Sequence, residues 1–148
     1  GIIVKFETDD TTAAHPDFAE FAKNIALQAA ALPSSYVSKD QVPESVIAEE
    51  KNILISQIKQ DPKNEGKPDN ILEKMVSGKI GKFYEANCLL EQSYVKDDSL
   101  TVAKYVDASA KSFGGAVKVV DCIRYEKGEG LARREENFAE EIAKMVNK

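Results

Sequence analysis

Two stretches of this chain carry strand character, and what lies between them is spaced mostly for helices. In residues 2–7, Ile2, Val4 and Phe6 fall on one face and Ile3, Lys5 and Glu7 on the other, the period of two that a strand with one buried face requires. Residues 116–126, AVKVVDCIRYE, are rich in β-branched side chains and form the second strong strand. A strand needs neighbours, and the first one begins at the second residue with no Met before it. The expectation is therefore of a chain cut from something longer.

Between the strands, Pro16 opens a helix on which Phe18, Phe21, Ile25 and Leu32 recur at core-facing spacings, and Leu32-Pro33 ends it. Pro43 or its neighbours open a second, ESVIAEEKNILISQIKQ, with a stripe of Val46, Ile47, Ile53, Leu54 and Ile58. The turn formers DPKNEGKP (61–68) stop it. A third runs through Ile71, Leu72, Met75, Val76, Ile80, Phe83 and Tyr84. Gly78 and Gly81 interrupt it, each weakening a helix by up to ~1 kcal/mol relative to Ala. They are expected to admit a close backbone neighbour or to mark a flexible point. After the apolar block LLEQSYV (89–95), Leu100, Val102, Val106 and Ala110 outline a helix capped by Asp98 or Ser99 and stopped by Gly114-Gly115. The tail places Phe138, Ile142, Met145 and Val146 at helical spacing, acids early and lysines late. Helices and strands that do not alternate regularly point to an α+β fold.

With 148 residues, 43% hydrophobic and 30% charged, the chain has the size and balance of one globular domain. Its formal net charge of −5 argues against general nucleic-acid binding, which needs a surplus of Lys and Arg. No apolar stretch approaches the ~20 residues that span a bilayer, and the apolar start has no charged region before it to suggest a secretory signal. Cys88 and Cys122 lie far apart and form no metal-binding spacing. Two reduced thiols suit a reducing cytoplasm.

Motifs for catalysis fail on inspection. SGKIGK (77–82) has Glu73 and Ile80 where a phosphate loop needs Gly and Ser or Thr. It also lies in a helix interior, whose N–H groups are already used. KGEGLAR (127–133) has Arg133 where a dinucleotide fingerprint needs its third glycine, and a turn is the expected role. His15, the only histidine, stands before Pro16 as a loop or cap side chain. The acid pairs Asp9-Asp10, Asp97-Asp98 and Glu135-Glu136 sit in polar stretches where carboxylates are solvated, and nothing in their setting suggests a shifted pKa. No catalytic residue, cofactor or metal site is expected.

The run NEGKPDNILEKMVSGKIGKFYEANCLLEQSYVKD (64–97) resembles the signature of the bacterial elongation factor Ts family, as do Arg124–Leu131 and Asn137–Ile142 in the tail and the helix KNIALQAAALPSSYVSKDQV. The likeness covers nearly the whole chain. It implies a guanine-nucleotide exchange factor that binds elongation factor Tu in translation and weakens its hold on GDP, with no covalent step. The implied fold is a small antiparallel sheet packed on helices, with a protruding antiparallel helical hairpin, described as a coiled coil, and a C-terminal helix. Residues 1–126 map to the core and dimerisation domain, including the hairpin at about 68–95, and residues 127–148 to the C-terminal module. An N-terminal ubiquitin-associated-like module and a first core subdomain are then absent. Phe138, Ile142 and Met145 map to the face that docks on the GTPase; the alternative for this tail is a helix folded back on its own core. Ile71, Met75, Leu89 and Tyr94 map to residues holding the hairpin arms together.

Two departures stand out. The family's Thr-Asp-Phe-Val element has its counterpart in Glu7-Thr8-Asp9-Asp10, with Asp10 where Phe belongs, so exchange by this chain alone should be weak. At the family's histidine-bearing contact stands Gln28, carried over as a partner-facing position although its side chain departs from the pattern. A homodimer, in an architectural role with no exchange activity, is the second expectation.

Overall fold

The computed structural model describes residues 1–130. Strand β1 (Ile2–Thr8) leads through the single-turn helix α1 (Asp10–Ala13) into α2 (Phe18–Ala31); α3 (Glu44–Gln60) and α4 (Asp69–Asn87) follow. Then come the short strands β2 (Ser93–Tyr94) and β3 (Asp97–Thr101), helix α5 (Val102–Phe113) and strand β4 (Val117–Arg124). The architecture is α+β, with β1 antiparallel to β4 and β2 antiparallel to β3 in two separate two-stranded sheets.

The β1–β4 ladder joins residues from opposite ends of this region, running from Ile2 opposite Arg124 to Thr8 opposite Val117, with a register shift between Lys5 and Phe6. Burial alternates along β1 as its sequence pattern requires. Phe6 on the inner face meets Phe18 and Phe21 of α2 at ring-centroid distances of 5.8 and 5.6 Å. Phe21 also contacts Tyr105 and Phe113 of α5, at 5.6 and 5.7 Å. Ile25, Leu89, Tyr94, Val102, Val106 and Val119 complete this main core. Burying side chains of this size is worth ~1.5–3 kcal/mol each, enough to hold a ribbon that would be marginal by itself.

Local chemistry fixes the element ends. Helix α5 starts later than Asp98 or Ser99 because residues 97–101 are spent on β3; Thr101 is the cap, its hydroxyl accepting from Lys104 N–H at 3.3 Å. It closes at Gly114, whose φ of 80° is open to glycine without strain. Helix α2 ends at Ala31, and Leu32 is extended and 42% exposed, so it leaves the core stripe to which its spacing assigned it.

The hairpin differs from its expected bounds. Helices α3 and α4 pack against each other around a second core of Leu54, Ile58, Val76 and Ile80, supported by Leu72, Met75 and Tyr84. The arms are therefore 44–60 and 69–87, joined through 61–68, where Asn64 donates to Ile58 O at 3.0 Å. Residues 88–95 are no second arm. Cys88 is extended, Leu89–Glu91 make one 3-10 turn, and Leu89 and Tyr94 lie in the main core. Met75 packs against this second core, whereas Ile71 is 39% exposed.

The glycines also divide. A Cβ on Gly78 or Gly81 would meet nothing within 4 Å, so neither admits a close neighbour. Gly115 is the opposite case: a Cβ there would collide with Thr12 Oγ1 and stand 2.5 Å from Asp9 Oδ2. Gly115→Ala should therefore cost about 1–3 kcal/mol through overpacking, while Gly78→Ala and Gly81→Ala should each add up to ~1 kcal/mol. Urea unfolding of the three variants checks both signs.

Candidate protein-binding surface

The polar groups that might have done chemistry are occupied structurally. Asp9 caps α1, accepting from Thr12 N–H at 2.8 Å and Thr12 Oγ1–H at 2.7 Å. These bonds, the backbone one first, hold its carboxyl below the usual carboxylate range. Asp97 accepts from Ser99 Oγ–H at 2.6 Å and Ser99 N–H at 3.1 Å and is lowered for the same kind of reason. The shifts, unexpected from sequence, run toward permanent ionisation, the wrong direction for a proton donor near neutrality. Residues 77–82 lie inside α4, where their N–H groups serve the helix. His15 Nδ1 accepts from Asp17 N–H at 3.2 Å, a local role at the entrance to α2. Among the described residues no cluster of His, Cys, Asp or Glu is arranged to hold a metal, and no helix is long and apolar enough to cross a membrane.

Gln28 carries the most informative geometry. It has no exposed surface. Its Nε2 donates to Gln92 Oε1 and to Ser93 O, both at 3.1 Å, and its Oε1 accepts from Val95 N–H at 2.8 Å. Gln92, also buried, donates its own amide to Leu32 O at 3.2 Å. Two buried amides thus tie α2 to the 92–95 segment, in surroundings where an unpaired amide costs ~1–3 kcal/mol. A side chain so enclosed cannot touch a partner, which corrects the partner-facing expectation for Gln28. What it does is hold Val95, 47% exposed, beside the turn of α2 that carries Leu27, 46% exposed. These two exposed apolar side chains make this position a candidate contact surface.

Nearby polar groups brace the same region. Lys96 Nζ donates to Asn24 Oδ1 at 2.7 Å, and Asn24 Nδ2 donates to Tyr105 Oη at 3.0 Å. Tyr105 stacks on Tyr94 at 4.2 Å, and burial pushes the Tyr94 hydroxyl well above the ordinary phenol range. A second apolar surface lies on the outer side of β1 and β4, where Ile3 and Ile123 stand opposite each other at 59% and 42% exposure, near Tyr125 at 62%. Phe138, Ile142 and Met145 lie outside the described residues.

The family model described as Elongation factor TS matches residues 1–129. The chain belongs to the elongation factor Ts family. It is 41% identical over 148 residues to elongation factor Ts of Acetivibrio thermocellus, covering 99% of this chain and 67% of that protein. Against elongation factor Ts of Clostridioides difficile (strain 630) the identity is 44% over 146 residues, covering 99% of this chain and 46% of the relative. With that of Clostridium botulinum (strain Alaska E43 / Type E3) it is 43% over 148 residues, covering all of this chain and 46% of the relative. The chain thus spans between about half and two thirds of the length of these relatives.

Sequence reasoning missed Gln92, Leu27 and Val95. A glutamine enclosed by LL and YV was a usable signal, since an amide inside an apolar block needs buried partners. Gln28→Ala should destabilise by ~3 kcal/mol or more, combining a cavity with the stranded amides of Gln92 and Val95. Thermal unfolding of the variant, with Leu27→Ala as the near-neutral comparison, checks this.

Proposed function

We propose that this chain binds elongation factor Tu and promotes release of GDP from it during translation elongation, in the cytoplasm and without a covalent step. The observation that supports this most is the braced surface of Leu27 and Val95, at the stretch where the family resemblance puts a partner contact. Exchange of this kind is linkage. A protein that prefers the nucleotide-free GTPase lowers its nucleotide affinity by the same factor by which nucleotide lowers its own. Only differential affinity for the two states can do so, and a rigid apolar patch is a suitable means. The tail face of Phe138, Ile142 and Met145 supplies a second contact in this reading.

Exchange by this chain alone is weak. Where the family's exchange element inserts an Asp and a Phe into the partner, Asp9 here is turned back onto its own helix as a cap and Asp10 replaces the Phe. The expected result is measurable binding with little acceleration of release of a fluorescent GDP analogue. Acceleration matching a full-length relative would overturn the assignment. Leu27→Asp and Val95→Asp should each weaken binding about tenfold, ~1.4 kcal/mol, with little change in melting temperature because both side chains are already half in water. Phe138→Ala should behave likewise.

The Ile3 and Ile123 pair favours a second reading, an architectural module that associates with a copy of itself through the outer sheet face. Sedimentation of the wild type and of Ile123→Lys separates the two. A dimer abolished by the substitution, together with no binding to elongation factor Tu, would favour the module.

A further inference from the structure

We propose that Lys96 is the charged contact of the Leu27 and Val95 surface, presented by Asn24 to a carboxylate on elongation factor Tu. This rests on the elongation factor Tu reading and adds the chemistry of the group the partner must place there. Val95 and Lys96 form the turn between β2 and β3. Two amides on α2, four residues apart and so on one face, hold them in succession. Gln28 Oε1 accepts from Val95 N–H at 2.8 Å, and Asn24 Oδ1 accepts from Lys96 Nζ at 2.7 Å. The first amide places an apolar side chain and the second a cation.

The orientation of this lysine is set from within. Asn24 is buried, and its Nδ2 donates to Tyr105 Oη at 3.0 Å, which leaves Oδ1 facing Lys96. Tyr105 is itself fixed by stacking on Tyr94. A long surface side chain normally loses rotamer freedom when it forms an ion pair; here part of that loss occurs on folding. The charge is also left uncompensated. Among the described residues no carboxylate lies within 4.0 Å of Lys96 Nζ. Asp97, next in sequence, accepts from Ser99 N–H and Oγ–H, and Glu20 and Asp98 stand beyond ion-pair distance. An ammonium has three N–H donors, and the neutral Asn24 oxygen engages one of them.

Its place completes the case. Lys96 follows Val95 directly, and Asn24 stands three residues before Leu27 on α2, so the cation borders both exposed apolar side chains. An apolar centre with a charge at its edge is the arrangement in which the charge governs partner choice and association rate. Glu20 and Lys23, both exposed, share this side of α2 with Leu27, so the surroundings carry both signs. What the site selects is therefore a carboxylate in direct hydrogen-bond reach of Lys96, seated beside an apolar contact, rather than a broadly acidic surface.

The test is binding of the full chain to nucleotide-free elongation factor Tu at low and high salt. Lys96→Met should bind about fivefold more weakly than wild type at low salt, and the difference should shrink as salt screens the pair. Lys96 is exposed, so this variant should fold as the parent does. Asn24→Asp separates contact from support. Its carboxylate would pair with Lys96 and accept from Tyr105 Oη–H, keeping the bond within the chain while neutralising the cation. Its melting temperature should equal or exceed the parent's, while its binding falls about as far as that of Lys96→Met. Equal binding by wild type and Lys96→Met at both salt concentrations overturns the proposal. So does a loss indifferent to salt, which would make Lys96 a neutral packing contact, or wild-type binding by a folded Asn24→Asp. Failure of the wild type itself to bind is a different result: it overturns the elongation factor Tu reading and this proposal with it.

Discussion

A two-stranded ribbon does not hold together in water on its own, and the whole main core depends on one. The β1–β4 ladder brings together residues more than a hundred positions apart. It persists because Phe6 is pinned by Phe18 and Phe21, and Phe21 in turn by Tyr105 and Phe113. Phe21 is the hub of this cluster, touching both helices and the sheet. The remaining elements are added to that assembly. The segment after α2 runs parallel to the stretch just after α4, with Leu89 and Leu90 donating to Tyr36 O and Val37 O, and Gln41 reaches from there to Val120 O on β4.

The hairpin stands apart from this economy. Its core of four buried side chains shares none with the main cluster, and the link between them passes through the residues just after α4. A protein that acts by gripping a partner gains from such a division. In the proposed reading, the main body would position one patch and the arms could offer another. The Gln28–Gln92 pair belongs to the rigid body, and its full satisfaction is part of why, among the described residues, no buried side-chain polar atom lacks a partner.

Much of the fold was legible because it rests on local periodicity. The alternation of Ile2, Val4 and Phe6, the stripe of Leu54 and Ile58, and the turn formers 61–68 each say what they become. The errors arose where an apolar residue had two possible destinations. Leu89 and Tyr94 were assigned to the hairpin from the family map, and nothing in their own spacing said that the chain turns back at Cys88 into the main core. The similar lengths of α3 and α4, 17 and 19 residues on either side of a short connection, were the better sign of the two arms. Gln28 was misread for a different reason. Its neighbours revealed a helix, but only the folded position of Gln92, sixty-four residues away, decides that the amide faces inward and leaves Leu27 and Val95 exposed.

Gly1 and Tyr125 bond to each other in both directions, the terminal amine to Tyr125 O and Tyr125 N–H to Gly1 O, each at 2.7 Å. A body whose thread enters and leaves at neighbouring points has no preferred place to be cut. Joining those two residues and opening the chain at the exposed tip between α3 and α4 would keep the buried side chains of the described residues in place. For protein engineers the module is thus a ring in all but covalent detail, and it could be spliced into a host loop at its ribbon or re-threaded with the hairpin arms as its free ends.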